Sequence, residues 1–154
     1  MAEPVTESIT IDASAEDLYD LVSDVSRMGD WSPEATGALR AGEQLKRGDT
    51  FVGLNRFALA RWWTYCTVRR AERGDVFEFD VDFGPFPISR WTYEFTAQGE
   101  RSTRVTESWL DRREGARALP IRVVGGILIP GDRAAHNRAN MQVTLKRLKA
   151  HAEG

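Results

Sequence analysis

Residues Gly74 to Phe95, GDVFEFDVDFGPFPISRWTYEF, decide the fold of this chain because apolar and polar residues alternate along both halves. Successive side chains of a β-strand point to opposite faces of its sheet. The alternation therefore predicts strands at Val76–Phe83 and Ile88–Ala97, with the aromatic side chains inward and the carboxylates of the first strand in water. Gly84-Pro85, together with Pro87, marks the turn between them.

Short strands separated by turn signals extend from this hairpin in both directions. Gly48-Asp49, Gly74-Asp75 and Gly99 mark further breaks. Because the connections are short, neighbouring strands are expected to be antiparallel. The other predicted strands are Gly37–Gly42, Thr50–Arg56, Trp62–Glu72 and Thr103–Arg112, preceded by a first strand at Val5–Asp12.

Helices are predicted on both sides of this strand-rich region. Ser14 is a favourable N-cap for a helical segment that Gly29 and Pro33 are expected to end. A long terminal helix follows Asp132 and buries one stripe, made of Ala134, Asn137, Arg138, Met141, Leu145 and Leu148. The order predicts an α+β fold in one domain over residues 1–154. A strongly curved antiparallel sheet of about seven strands wraps around the C-terminal helix, with two short helices between strands 1 and 2.

Composition excludes several classes of protein. The 154 residues carry a formal net charge of −2, which argues against a basic nucleic-acid-binding surface. The one cysteine, Cys66, allows no internal disulfide, and the leading residues MAEPVTESITID have no signal-peptide pattern. The longest apolar stretch, Ala118–Gly131, contains Arg122 and is too short to span a bilayer. We expect a cytoplasmic protein that neither spans a membrane nor binds nucleic acid.

Five stretches carry a resemblance to a known family: DLVSDVSRMGDWSPE (20–34), FVGLNRFALARWWTYCTVRRAERGDVFEFDV (51–81), RWTYEF (90–95), TRVTESW (103–109) and NRANMQVTLKRLKAHAE (137–153). Together they resemble the polyketide cyclase/dehydrase and lipid-transport branch of the START-like helix-grip superfamily (SRPBCC), and most closely its small actinobacterial members. The resemblance implies a hydrophobic cavity between the curved sheet and the terminal helix. Members of the superfamily include aromatase/cyclases, lipid and sterol carriers, hormone binders and chaperone cofactors, so the resemblance implies no single chemistry.

The inward-facing residues of the strands are predicted to line this cavity. Its expected volume is about 300–1,000 Å³, as in typical ligand sites. The stretch WWTYCTV (62–68) carries large residues on both faces and is ambiguous. The predicted ligand-binding residues are Trp31, Phe51, Asn55, Tyr65, Phe77, Phe79, Val81, Trp91, Phe95, Val105, Trp109, Asn137 and Met141.

Glu107 is the most informative inward position because it shares a strand face with Val105 and Trp109. A carboxyl group among aromatic rings must be paired, hydrogen-bonded or protonated with a raised pKa. Its candidate partners are Asn55, Tyr65, Tyr93, Asn137 and Arg138. Glu107 and Tyr93 are the predicted catalytic pair if the protein is an enzyme. The alternative is a structural salt bridge between Glu107 and an arginine.

Two further segments carry predictions. We interpret Trp31 as a core plug or a cavity wall, and Glu34 as a structural acid that accepts hydrogen bonds from backbone amides. Residues 115–131 have three interpretations. Gly125-Gly126 is the hinge of an apolar flap over the cavity, the apolar surface contacts a second subunit in a homodimer, or the segment packs on its own domain.

Few residues are suited to metal or nucleotide chemistry. His136 is interpreted as a solvated surface residue, His151 as part of a fraying tail, and Cys66 as an apolar filler. The sequence contains no zinc-ligand spacing and no phosphate-binding glycine loop. We predict neither a cofactor nor a metal site.

Three hypotheses for function remain. The first is a binding protein for a hydrophobic or aromatic small molecule, such as a lipid, a polyketide or an isoprenoid. The second is a cofactor-free polyketide cyclase or dehydratase that uses Glu107 and Tyr93 as acid–base groups. The third is a non-catalytic module that binds a partner protein and whose interior is filled by its own side chains.

Overall fold

The structure is a computed structural model that describes residues 3–39, 42–113, 119–128 and 131–154. The strands are β1 (Val5–Ile11), β2 (Ala35–Leu39), β3 (Thr50–Phe57), β4 (Ala60–Glu72), β5 (Val76–Phe83), β6 (Phe86–Gly99) and β7 (Ser102–Asp111). The helices are α1 (Ala15–Ser23), α2 (Met28–Trp31), α3 (Leu119–Leu128) and α4 (Arg133–Glu153), with a 3-10 turn at Val25–Arg27.

One antiparallel sheet holds these strands in the order β1-β7-β6-β5-β4-β3-β2. β2 to β7 form a meander, and β1 closes the sheet by pairing with β7, so that Val5 lies opposite Trp109. Register shifts within the β2–β3, β4–β5, β5–β6 and β6–β7 pairs add local twist. α4 packs against β1, β7 and α2. The predicted α+β helix-grip fold, with short helices between strands 1 and 2, is confirmed.

The strands lie close to their predicted bounds. β5 has the predicted range, and the others differ by a few residues at their ends. Residues 40 and 41 of the predicted strand Gly37–Gly42 lie outside the described residues. Pro87, predicted in a turn, lies inside β6 and pairs with Asp82 beside a bulge. A proline is tolerated there because a bulge leaves backbone groups out of the ladder.

The prediction that Gly29 ends the first helix is wrong. α1 already ends at Ser23, and Gly29 lies inside α2. A Cβ atom at Gly29 would lie 2.5 Å from the carbonyl oxygen of Thr36 in β2. Glycine is required here because the backbones of α2 and β2 approach too closely for any side chain.

The main core lies between α1 and the inner face of the sheet. Tyr19 of α1 packs edge to face on Phe77 and Phe95, with ring centroids 6.1 and 5.8 Å apart. A smaller cluster of Val5, Trp109 and Met141 joins β1, β7 and α4.

The carboxylates of β5 are less exposed to solvent than predicted. Glu78 and Asp80 project from the outer face, yet they are 9% and 5% exposed, because long arginine side chains cover them. Burial raises the pKa of Glu78, but hydrogen bonds from Arg70 and Thr92 outweigh this and hold the pKa below its ordinary value. Arg90 donates two hydrogen bonds to Asp80, at 2.6 and 3.2 Å. The predicted wet face is therefore a covered layer of ion pairs.

Residues 119–128 of the segment predicted as a flap or a contact form α3, whereas residues 114–118, 129 and 130 lie outside the described residues. Leu119, Val123 and Val124 of α3 are exposed. These side chains weigh against a fully packed segment, and the flap and the homodimer contact stay predictions. No helix in the described ranges is both long and apolar enough to cross a membrane.

Candidate functional site

A cavity of about 110 Å³ lies between the inner face of the sheet and α4, and Met28 and Trp31 of α2 border it. It is smaller than the volume expected from typical ligand sites. The reason is that aromatic side chains occupy the inner face: Phe51 and Phe79 pack edge to face 5.4 Å apart, and Trp91 lies opposite Phe79 on the next strand.

Ten of the predicted site residues border this cavity. The apolar ones are Trp31, Phe51, Phe79, Val81, Trp91 and Met141, and the polar ones are Asn55, Tyr93, Glu107 and Asn137. They come together because directly opposed residues of antiparallel strands share a face. The pairs Phe79–Trp91 and Tyr93–Glu107 are examples.

Four predicted ligand-binding residues are buried but do not border the cavity. Phe77, Phe95 and Val105 belong to the core beside α1, and Trp109 packs with Val5 and Met141. Their strand faces agree with the alternation in the sequence. Their position along the strand, which alternation does not specify, places them beside other side chains instead of beside the open volume.

Tyr65 is a wrong prediction, and β4 explains why. Trp62, Thr64 and Cys66 border the cavity, so Tyr65 and Trp63 point to the outer face, where they are 52% and 53% exposed. The three inward residues were missed because large side chains occupy both faces of this strand. The partner strand held the signal, since Phe51, Gly53 and Asn55 of β3 lie opposite Cys66, Thr64 and Trp62.

Cys66 is buried against this cavity. Burial raises the pKa of its thiol to about 12, and contacts with Thr64 and the Gly53 backbone oppose the rise only in part. The thiol is therefore protonated at neutral pH and chemically inert. This environment agrees with the interpretation of Cys66 as an apolar filler.

The polar end of the cavity is built around Glu107. The Tyr93 hydroxyl donates a hydrogen bond of 2.7 Å to Oε1 of Glu107, which is 2% exposed. Burial raises the pKa of Glu107 to about 8, against the opposing effect of this hydrogen bond. Burial likewise raises the pKa of Tyr93 well above its ordinary value, and the neighbouring Glu107 raises it further. Near neutral pH both groups are uncharged.

Two buried polar atoms at this end have no hydrogen-bond partner among the described residues: Oε2 of Glu107 and Nδ2 of Asn137. Both side chains border the cavity. A buried polar group without a partner costs about 1–3 kcal/mol. A bound molecule that supplies the missing partners would recover that energy.

Two other candidate partners of Glu107, Arg138 and Asn55, interact with other residues. Arg138 pairs with Glu7 of β1 at 2.7 Å, and Asn55 donates to Thr64 at 3.4 Å. No arginine in the described part of the chain forms a salt bridge with Glu107. The structural salt bridge that we held as the alternative is therefore absent there.

A second polar group, the Glu34 cluster, borders the cavity near the start of α4 and consists of Glu34, Arg133, His136 and Asn140. Arg133 and His136 contact the two carboxylate oxygens of Glu34 at 3.4 and 3.2 Å, and Asn140 lies 3.1 Å from the His136 ring. Two predictions are corrected. Glu34 was expected to accept hydrogen bonds from backbone amides, but it binds side chains of α4 instead. The Ser32 hydroxyl accepts from the backbone amides of Glu34 and Ala35. His136 is partly buried, since it also packs on Phe57.

Trp31 is both a core residue and a cavity wall. Its ring is 3% exposed, lies 5.7 Å from the ring of His151 and stacks under the Arg27 guanidinium at 5.2 Å. His151 therefore holds the end of α4 on α2 and is not part of a fraying tail, because α4 continues to Glu153.

A wider open groove of about 790 Å³ lies beside α1 and the residues before β3. Charged side chains line it, and the ion pair between Asp20 and Arg73 satisfies two of them. The cavity between the sheet and α4 is the better candidate for an apolar ligand, because aromatic side chains line it. Within the described residues, no group of three or more His, Cys, Asp or Glu side chains is placed to hold a metal ion.

Comparisons with known proteins agree with this architecture. A family model described as polyketide cyclase / dehydrase and lipid transport matches residues 3–153. No curated protein matches the sequence. A polyketide-cyclase-like protein of Corynebacterium glutamicum, Cgl2372, is 27% identical and has a TM-score of 0.65, with 99% of this chain and 94% of that chain covered.

Two more distant structures share the fold. A START superfamily protein from Mycobacterium smegmatis is 16% identical, with a TM-score of 0.68 and 97% of both chains covered. The di-domain aromatase/cyclase StfQ of the steffimycin biosynthetic pathway is also 16% identical, with a TM-score of 0.64; 97% of this chain and 51% of StfQ are covered. At this identity the likeness concerns the fold alone.

Proposed function

The chain belongs to the polyketide cyclase / dehydrase and lipid transport family, and from this premise we propose that it binds a hydrophobic small molecule between the sheet and α4. The observation that carries the proposal is an apolar cavity with two buried, unpartnered polar atoms at one end. In such sites the apolar walls supply affinity by burial, and a few polar groups orient the ligand.

The cavity volume limits the size of what is bound. An apolar cavity of about 150 Å³ in another protein takes up one benzene ring, and the cavity here measures about 110 Å³. It suits a single small ring or one end of a longer lipid, polyketide or isoprenoid. A longer molecule needs its remainder outside the cavity or a displacement of the wall.

Native mass spectrometry of freshly purified protein tests the proposal, with toluene as an added probe followed by NMR. Ser89 is buried and borders the cavity, so S89L fills the space with a larger side chain. We expect it to weaken toluene binding at least tenfold and to remove any co-purified mass. The matched control is T96L on the same strand, at an exposed position. Wild-type protein without bound mass and without toluene binding would refute the proposal.

Turnover is a second candidate function, and the environment of Glu107 favours it. A carboxyl group with a pKa of about 8 is a neutral acid near physiological pH, which suits proton transfer to a carbonyl substrate. A cofactor-free cyclase or dehydratase would use Glu107 with Tyr93 as its hydrogen-bond partner. E107Q should then abolish product formation from a poly-β-ketone and leave the affinity for it largely intact; an unchanged rate removes this role.

A partner-binding module without a ligand is the third hypothesis from the sequence. It predicts an interior filled by the protein's own side chains. The open cavity and its unpartnered polar atoms favour a ligand instead.

A further inference from the structure

We propose that the ligand presents a carbonyl-type acceptor oxygen to Glu107 and Asn137, which hold it with two donated hydrogen bonds. The inference rests on the proposed function and extends it, because it names the chemical class of the ligand's polar group. That class is a neutral ketone, enone, quinone or lactone carried on an apolar frame.

The unpartnered groups at this end of the cavity can be identified as hydrogen-bond donors or acceptors. Oε1 of Glu107 already accepts from the Tyr93 hydroxyl, so only Oε2 is available. Nδ2 of Asn137 is the second unpartnered atom, and an amide nitrogen only donates. If Glu107 is in its acid form, both available groups are donors, and their common partner is an acceptor oxygen.

The second step is the charge state of Glu107. The titratable neighbours are Tyr93 on β6 and Glu7 opposite it on β1, and Glu7 is neutralised by Arg138 of α4. No cation in the described residues pairs with Glu107, and burial raises its pKa to about 8. Below that pH the carboxyl group is neutral, and Oε2 can carry the proton that it donates.

The third step excludes other ligand chemistries. A ligand ammonium group has only donors, so it would leave Nδ2 of Asn137 without a partner. A ligand carboxylate would be buried without a cation, and an unpaired buried charge is strongly unfavourable. The cationic side chain that borders the cavity, Arg133, is engaged with Glu34. A neutral acceptor satisfies both donors without burying a charge.

The test uses two probes of the same shape, cyclohexanone and methylenecyclohexane, in which C=CH₂ replaces C=O. Affinities are measured by NMR titration for wild type, E107Q and N137L, between pH 6 and pH 9.5. E107Q is the informative variant, because a glutamine retains the acceptor for Tyr93 and offers a permanent donor in place of Oε2–H. Cyclohexylamine is the donor control, and ¹³C-labelled carbonyl carbon reports hydrogen bonding directly.

We expect wild type to bind cyclohexanone below pH 8 with a downfield shift of the carbonyl carbon, and to lose affinity about tenfold above it. E107Q should bind cyclohexanone at every pH tested. N137L should weaken the binding of cyclohexanone about tenfold and leave the affinity for methylenecyclohexane unchanged.

Equal effects of the variants on both probes, or tighter binding of cyclohexylamine than of cyclohexanone, would overturn the inference while leaving the cavity a binding site. Failure of wild type to bind either neutral probe or toluene would overturn the proposed function as well.

Discussion

Tyr93 and Glu107 lie directly opposite each other on β6 and β7, and the tyrosine hydroxyl donates a hydrogen bond of 2.7 Å to the carboxyl group. Both residues are buried, at 8% and 2% exposed. The pair forms one polar end of the cavity, and the Glu34 cluster is a second polar group on its border. We therefore expect changes to this pair to affect both the stability of the fold and the chemistry of the cavity.

Removing the tyrosine hydroxyl should shift the titration of its partner. In Y93F the pKa of Glu107 is expected to rise above 8, because burial dominates and the hydrogen bond that lowers the pKa is gone. The unfolding free energy should fall by about 1–3 kcal/mol. Carbon-detected NMR of the glutamate carboxyl and urea denaturation measure the two effects. Y65F, on the exposed face of β4, is the control, and a Glu107 pKa at or below 8 in Y93F would contradict the prediction.

Stability should decline with pH between about 4.5 and 8 because of Glu107. Its pKa is 4.5 when exposed and about 8 in the fold. In this window the folded state holds a proton that the unfolded chain has lost, so the unfolding free energy falls by up to about 1.4 kcal/mol per pH unit. Carboxyls with lowered pKa, such as Glu78, act below the window.

Urea denaturation of wild type and E107Q from pH 5 to pH 9 isolates this contribution. The difference between the two proteins should favour wild type most at low pH and shrink as pH rises. A difference that stays constant with pH would show that Glu107 does not titrate there.

Gly29→Ala should destabilise the protein by about 1–3 kcal/mol, the usual effect of overpacking. The new Cβ would lie 2.5 Å from the Thr36 carbonyl oxygen, so α2 and β2 must separate. Gly126→Ala in α3 is the matched control, because its Cβ would meet no atom within 4 Å and alanine favours a helix by about 1 kcal/mol. Thermal denaturation should move the two variants in opposite directions; a neutral Gly29→Ala would contradict the close approach.

The covered ion pairs of the outer face should contribute measurably to stability. Asp80→Asn leaves Arg90 and its neighbours Arg69 and Arg112 without their shared carboxylate. We expect a loss of about 1–3 kcal/mol. Asp30→Asn breaks an exposed pair with Arg27 and should change stability by less than about 1 kcal/mol. Equal losses in the two variants would mean that burial of Asp80 has no energetic effect.

Cys66 should resist thiol reagents in the folded protein. Its pKa of about 12 and its burial keep the thiolate scarce. Labelling with a disulfide reagent at pH 8 should be at least about a thousandfold slower than in urea. Tyr65→Cys in a Cys66→Ser background places the thiol on the exposed face of the same strand and should react at once. Rapid labelling of native wild type would refute the inward position of Cys66.

The alternation of β5, β6 and β7 correctly predicted these strands and the inward position of Tyr93 and Glu107. It failed at β4, where tryptophan and tyrosine occupy both faces and only the pairing with β3 assigns Tyr65 outward. The expectation that Gly29 ends a helix was wrong for a different reason: the close approach between α2 and β2 is a tertiary contact that local sequence does not reveal.

The rest of the site depends on contacts between distant parts of the chain. Glu34 and His136 meet only after α4 has docked beside the start of β2. The cavity volume likewise depends on how the aromatic side chains pack, which residue type does not specify. Local patterns therefore identified ten of the lining residues, but neither the Glu34 cluster nor the size of the open space.

The pairing of β1 with β7 has a consequence for biosynthesis. Val5 leaves the ribosome roughly a hundred residues before its neighbour Trp109, and α4, which packs on β1, follows later still. During synthesis β1 therefore has no partner strand until β7 has been made. Because pairing over such a long loop is expected to be slow, the edge of β7 stays open to pairing with other chains until β1 docks on it.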